Sequence, residues 1–165
     1  MGAYRKFRLI PLLASFVALG LTAPFAAHAG EIIKAGLAAC PHDGTMLGGV
    51  NSCGKIWKLK SGEAQLDSDG KLKVEVKNLV LNDSTVPPDV NGTADGVSQV
   101  VASLVCSGGG GASVAAQTEL VPLSKSGDAK IRATVTLPKS CIAPIVIIRE
   151  FYDGKIGGWL AATGF

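Results

Sequence analysis

Carboxylates and cysteines are the side chains of this chain with most scope for chemistry, and their spacing limits what each can do. Glu63 and Glu75 form the best catalytic pair. The hairpin register derived below sets them opposite each other on an outer sheet face, where two carboxylates can serve as acid and nucleophile of a retaining glycosidase. Lysines 60, 73 and 77 lie close enough to neutralise them, and few aromatics remain to grip a sugar. A second candidate is Asp89, Asn91, Thr93 and Asp95, with oxygen-bearing side chains at alternate positions as in calcium loops. The Gly92 and Gly96 positions do not match an EF-hand and no bidentate Glu follows, so a polar linker loop is the plainer expectation. Cys40, His42, Asp43 and Cys53 contain metal-ligating types, but the Cys-Pro-His spacing matches no zinc pattern.

Nucleophilic catalysis has little to work with. His28 belongs to the leader described next, so any Ser-His-Asp or Cys-His device must use His42, and there is no Gly-x-Ser-x-Gly elbow. Residues 108–111, all glycine, could cradle an anion, yet no Lys-Ser or Lys-Thr follows and no helix opens there. A flexible connection is expected instead, and no cofactor is expected.

These groups sit behind what reads as an export signal. Arg5, Lys6 and Arg8 precede an apolar run from Leu9 to Phe25, and Ala27-His28-Ala29 supplies small residues at the −3 and −1 positions of a cleavage site. Residues 1–29 are therefore expected to be removed, leaving one domain over 30–165. Three of the 16 basic residues fall in the leader, so 13 remain against 13 acidic ones. A net charge of zero gives no support to nucleic-acid binding. No later stretch is long or apolar enough to span a bilayer. Leu37-Ala38-Ala39-Cys40 also spells a lipobox-like tetrapeptide, which would anchor the chain by lipid at Cys40, although Glu31 and Lys34 interrupt the apolar lead such a signal needs.

An even number of cysteines in an oxidising compartment reads as two disulfides among Cys40, Cys53, Cys106 and Cys141. Three pairings are open. Cys40–Cys53 with Cys106–Cys141 is favoured because each bridge closes its own half of the chain. The chain-entropy argument gives such loops about 3 and about 4 kcal/mol.

Alternation of apolar and polar residues marks the strands that must position these groups. It is strongest over 61–78, where Ala64 and Leu66, then Leu72, Val74 and Val76, form one face. A three-residue loop, Ser68-Asp69-Gly70, pairs Leu66 with Leu72 and Ala64 with Val74, keeping that face continuous; a two-residue turn would mix the faces. Residues 79–81 break the alternation, 82–96 read as a long loop, and 97–106, apolar on both sides, as a central strand. Residues 114–121 and 130–137 are expected to pair as a second hairpin around Lys125-Ser126-Gly127-Asp128. Residues 145–151 and 159–163 finish the chain around Asp153-Gly154-Lys155. Ser61-Gly62-Glu63-Ala64 and Ser126-Gly127-Asp128-Ala129 are similar, as two related halves would be, though Ser-Gly-acid is also common turn chemistry. The fold expected is all-β, an antiparallel β-sandwich of about seven to nine strands stapled by disulfides.

Gly62-Glu63-Ala64, Asp69-Gly70-Lys71-Leu72-Lys73-Val74 and Ala102-Ser103-Leu104-Val105-Cys106 together resemble a group of exported bacterial proteins of no established activity. Gly127-Asp128-Ala129, Leu137-Pro138, Cys141, Ala143-Pro144 and Trp159-Leu160-Ala161-Ala162-Thr163-Gly164 continue the resemblance over roughly the last hundred residues. It implies an exported β fold with a Cys106–Cys141 bridge and nothing catalytic. The hairpin half is distantly similar to the CHRD domain of secreted proteins, without that domain's histidine-containing segment.

The reading that follows is a secreted or periplasmic, non-catalytic binding or structural module, with a glycan hydrolase on Glu63 and Glu75 as the alternative. Ligand-facing parts are the 82–96 loop, the glycine connection and the rim around Tyr152 and Trp159, with Trp159 weighted toward the core. The partner is an unidentified extracellular or envelope ligand. Protein recovered from its native host should have the mass of a chain starting at Gly30, and should take up thiol label only after reduction. A lipid-modified start at Cys40, or label uptake without reduction, would contradict this.

Overall fold

The computed structural model describes residues 29–108 and 111–164. The leader expected over 1–29 lies outside these residues except for Ala29. In chain order the strands are β1 (Glu31–Ala39), β2 (Trp57–Lys58), β3 (Ser61–Asp67), β4 (Lys71–Lys77), β5 (Val80–Leu81) and β6 (Gln99–Gly108). They continue as β7 (Gly111–Gln117), β8 (Val121–Pro122), β9 (Ala129–Thr134), β10 (Ile142–Tyr152) and β11 (Lys155–Thr163). Among the described residues no helix is long and apolar enough to cross a membrane.

Nearly all of these strands join one antiparallel sheet in the order β7-β6-β10-β11-β1-β3-β4-β9, with β8 pairing the start of β6. The corner is β1. Its first part, from Glu31 to Gly36, pairs with β3, and Leu37 to Ala39 pair with β11. The sheet thereby divides into two leaves whose apolar faces share one core, a β-sandwich whose far edges approach at β8 and β9.

The β3–β4 hairpin has the expected register, with Leu66 opposite Leu72 and Ala64 opposite Val74. Its inner row of Ala64, Leu66, Leu72, Val74 and Val76 is buried, and fully burying each large member contributes about 1.5–3 kcal/mol. Gly70 closes the loop at φ 83°, its N–H donating to the Asp67 carbonyl at 2.9 Å. The β10–β11 hairpin turns through Asp153 and Gly154, both at positive φ, as a two-residue turn requires. The expected central strand is also present. β6 lies between β10 and the pair β7 and β8.

The second expected hairpin does not form. Residues 111–117 pair with β6, whereas β9 adds to β4, with Ile131 opposite Val74 and Lys130 opposite Glu75. The reason is local. Asn78 N–H donates to the Asp128 carboxylate at 3.0 Å, and Leu79 N–H to the Gly127 carbonyl at 2.9 Å, tying the turn before β9 to the end of β4. Both chain segments alternate, so pattern alone does not choose between them.

Both disulfides have the favoured connectivity, Cys40–Cys53 and Cys106–Cys141. The first closes the segment 40–53, which lies against the outer side of the second leaf. Trp159 N–H donates to the Asn51 carbonyl at 3.0 Å, and its indole N–H to the Thr45 carbonyl at 3.1 Å. Trp159 is consequently fully buried, and of the two rim aromatics only Tyr152 is exposed. Covered on both sides, β11 is buried continuously from Trp159 to Thr163.

Gly127, at φ 77°, sits so close to Leu79 that a Cβ would overlap its backbone N, C and O, whereas a Cβ at Gly92, at φ 83°, meets nothing within 4 Å. Gly92→Ala should therefore cost about 1–2 kcal/mol for the left-handed backbone alone. Gly127→Ala should cost about 2 kcal/mol more, since backbone overlap adds the penalty of overpacking. Urea unfolding of the two variants checks this, and equal losses would show that the turn does not dock as described.

Candidate functional site

Glu63 and Glu75 do stand opposite each other across β3 and β4. The neutralising cations are Lys130 and Lys77, at 3.4 and 3.5 Å from Glu75 Oε1; among the described residues Lys60 and Lys73 pair with neither glutamate. The Lys130 charge first, then the hydrogen bonds from Lys130 and Lys77, hold the Glu75 carboxyl below its ordinary value. A catalytic acid needs the opposite shift, and Glu75 is half exposed rather than enclosed.

The cysteine–histidine cluster is likewise committed to structure. Cys40 and Cys53 are bonded to each other and buried, so neither sulfur is a free thiolate or a lipid acceptor. The lipobox-like residues 37–39 are part of β1. His42 Nδ1 lies 2.6 Å from the Cys53 carbonyl, which requires the proton on Nδ1, and Asp43 accepts from Thr45 N–H at 2.9 Å.

In the 82–96 loop, the oxygens proposed for calcium are partly spent on the loop itself. Asn91 Oδ1 accepts from Asp83 N–H at 3.2 Å. Thr93 donates to the Val90 carbonyl at 2.7 Å and accepts from Asp95 N–H at 3.1 Å. Asp89 and Asp95 are exposed, and no cluster of three His, Cys, Asp or Glu suited to a metal occurs among the described residues. The organising residue is Asp83, which is buried. Its carboxylate accepts from the Thr85 hydroxyl at 2.7 Å, Thr85 N–H at 2.8 Å and Ile56 N–H at 3.2 Å. Of the glycine connection, 109 and 110 lie outside the described residues.

The end of that loop contributes to a cleft of about 440 Å³, within the size range of small-ligand sites. Trp57 on β2 and Leu81 on β5 are directly paired and form its inner wall. Val97, Asp95 and Gly96 come from the loop, and Glu150 and Tyr152 from the end of β10. The register of β10 against β11 shifts on both sides of Arg149, and such bulges re-aim side chains at a strand end. Arg149 is turned to the Gly157 and Ile156 carbonyls at 3.0 and 3.2 Å, and Glu150 toward the cleft. Tyr152 stands 60% exposed at the mouth.

Glu150 is the chemically distinctive group. Burial pushes its carboxyl above the ordinary value, partly offset by the Gly158 N–H at 3.3 Å. Gly157 makes room for it, since a Cβ there would lie 2.8 Å from Glu150 Oε1. Lys55 on the rim is held by Thr85 at 2.9 Å, and through Thr85 by Asp83. The Asp83 network thus holds the Lys55 side chain and the Ile56 backbone next to Trp57.

Of the ligand-facing parts expected from sequence, the structure brings together Tyr152, Asp95 and Gly96. Trp57, Leu81, Val97 and Glu150 were not anticipated. One signal was present for Glu150, an Arg149-Glu150 charged pair between the apolar run 145–148 and the aromatic pair Phe151-Tyr152. Nothing in the chain's spacing brings Trp57 to Tyr152, which lie far apart in sequence. Compared with family models, curated proteins and solved structures, the chain matches none, so no site residue is carried over from a relative.

The Asp83 carboxyl is held at about 2, first by the Thr85 hydroxyl, then by the Thr85 and Ile56 N–H groups and the Lys55 charge. Unfolded, it titrates near ~3.9. A depressed folded value means the group stabilises the fold above about pH 4 and loses that contribution as pH falls toward about 2. Asp83→Asn should lower the melting temperature at pH 7 and make the loss between pH 4 and 2 shallower than in the parent. Parallel melting curves over that window would show that Asp83 does not anchor the loop.

Proposed function

We propose that this protein is an exported, non-catalytic β-sandwich, a binding module of the cell envelope or extracellular space, that takes a small ligand with an apolar ring in the Trp57–Tyr152 cleft. The observation that carries this is the cleft itself. An indole, a phenol ring, Leu81 and Val97 form its apolar surface, and one desolvated carboxyl, Glu150, offers orientation. A few placed polar groups in an apolar cavity are the usual composition of a ligand site. The two disulfides fit an oxidising compartment, and the basic and then apolar start of the chain fits export.

The ligand chemistry follows from the lining. A ring stacks against Tyr152, and a hydrogen-bond donor on the ring meets Glu150. Catalysis is the weaker alternative because Glu75, in the carboxylate pair it forms with Glu63, is locked in two ion pairs at the surface.

A fragment screen by NMR on the purified domain should give shifts concentrated at the Trp57 indole, Tyr152 and Glu150. Tyr152→Ala should weaken the best aromatic fragment about tenfold, the stacking contribution plus lost apolar contact, with an unchanged melting temperature. Shifts centred on Glu63 and Glu75, or turnover of a glycan, would overturn the module reading.

A further inference from the structure

The outer face of the leaf β1-β3-β4-β9 carries charge in rows that run across the strands. Lys34, Gln65, Lys73 and Arg132 are cross-strand partners in succession, so they form one rung. All lie on the outer face, opposite the buried row that includes Ala64, Leu66, Leu72, Val74 and Ile131. At about 4.8 Å per strand the rung extends about 14 Å.

Three features separate this rung from an ordinary solvated face. Lys73 and Arg132 are like charges set directly opposite, which is unfavourable for the sheet. No carboxylate lies within ion-pair distance of Lys34, Lys73 or Arg132 among the described residues, while the neighbouring Glu75 and Asp69 are paired with other lysines. Shallow depressions border the Lys73–Arg132 pair on both sides. One of about 220 Å³ is lined also by Glu63, Gln65, Glu75 and Lys130, and one of about 410 Å³ by Lys71 and Thr134.

The flanks decide the shape of the occupant. The rungs on either side lie about 7 Å away, two residues along each strand. One carries Glu63 and Glu75 beside Lys130, the other Glu31 and Asp67 beside Lys71 and Thr134. A broad polyanion would lay charge on these carboxylates. A DNA duplex, whose major groove alone is about 12 Å wide, is such a ligand. A narrow chain would keep its anions over the central rung, and its hydroxyl groups would find acceptors in the flanking carboxylates. Polyphosphate has no such donors. We infer that this face is a second binding site, for a single extended chain of an acidic polysaccharide lying along Lys34, Gln65, Lys73 and Arg132.

The test uses the full chain after export and fluorescently labelled polygalacturonate at 50 mM and 300 mM NaCl. Parent protein should bind it at least tenfold more tightly than neutral dextran of the same length, and weaken with salt as exposed ion contacts are screened. K73Q/R132Q should lose at least tenfold in affinity and most of the salt dependence, with a melting temperature equal to or above the parent's. Tyr152→Ala should bind polygalacturonate like the parent, which separates this site from the cleft. Equal binding of dextran, parent-like binding by K73Q/R132Q, or tighter binding to duplex DNA or to phosphatidylglycerol vesicles would each overturn the assignment.

Discussion

A single strand holds the two leaves of this protein together. Among the described residues β1 is the link in the sheet order between β3 and β11, so the two leaves are continuous through its backbone hydrogen bonds. Sharing one strand between two leaves demands close approach at the bend, and Ala35, Gly36, Ala38 and Ala39 leave room for it. Gly62 completes the corner, since a Cβ there would stand 3.0 Å from Leu37 and Leu59 side-chain atoms. Cleaving the chain just before Cys40, as lipid attachment requires, would remove this strand and leave β3 and β11 with unpaired edges in the middle of the fold. Unpaired edge groups of that kind are a liability that folded chains avoid.

The consequences of the corner continue along the chain. Cys40 N–H donates to the Leu160 carbonyl at 2.8 Å, so the strand ends still attached to β11, and its disulfide then draws 40–53 across the outer side of that leaf. Emerging from this cover, the chain reaches Trp57, whose N–H returns to the Cys40 carbonyl at 3.4 Å. The inner wall of the cleft is thus delivered by the corner strand and its bridge, and the opposite wall by the end of β10. Asp83 completes the frame. A buried carboxylate is tolerable there because three donors satisfy it, and losing one would leave a desolvated acceptor costing more than the bond itself contributes.

How far the sequence reveals this depends on whether a feature is local. The β3–β4 hairpin was legible to the register because alternation and a three-residue loop containing Gly70 leave one solution. The opposition of Glu63 and Glu75 followed from it, as did the placement of Lys73 on the outer face. Disulfide connectivity was legible because each bridge closes a local loop. β1 was hidden, since Ala35, Gly36, Ala38 and Ala39 give almost no contrast between inner and outer faces, and Ile32 and Ile33 meet at a bulge. The pairing of β9 with β4 instead of 114–121 was hidden for another reason. Two alternating segments fit either neighbour equally well, and the choice is made by the hydrogen bonds of Asp128 and Gly127 to Asn78 and Leu79. The cleft was least legible of all, because it is assembled from β2, β5, a loop end and β10.

Two of the like-charge pairs on the outer leaf face, Glu63–Glu75 and Lys73–Arg132, have different standings, and magnitudes explain why both can persist. An opposed like-charge pair costs on the order of 0.2–1 kcal/mol. Beneath it, Leu72, Val74 and Ile131 are buried, each contributing about 1.5–3 kcal/mol, so the inner face fixes the register whatever the outer face carries. Glu75 relieves its repulsion from Glu63 by pairing with Lys130 and Lys77. Lys73 and Arg132 have no such relief, although Lys130 shows that a cation on β9 can reach an acid on β4. The nearby acids Glu75 and Asp69 go to other lysines, which leaves the central rung bare. Folding tolerates that rung without requiring it, which is why its charge is better explained by an external anion than by the stability of the sheet.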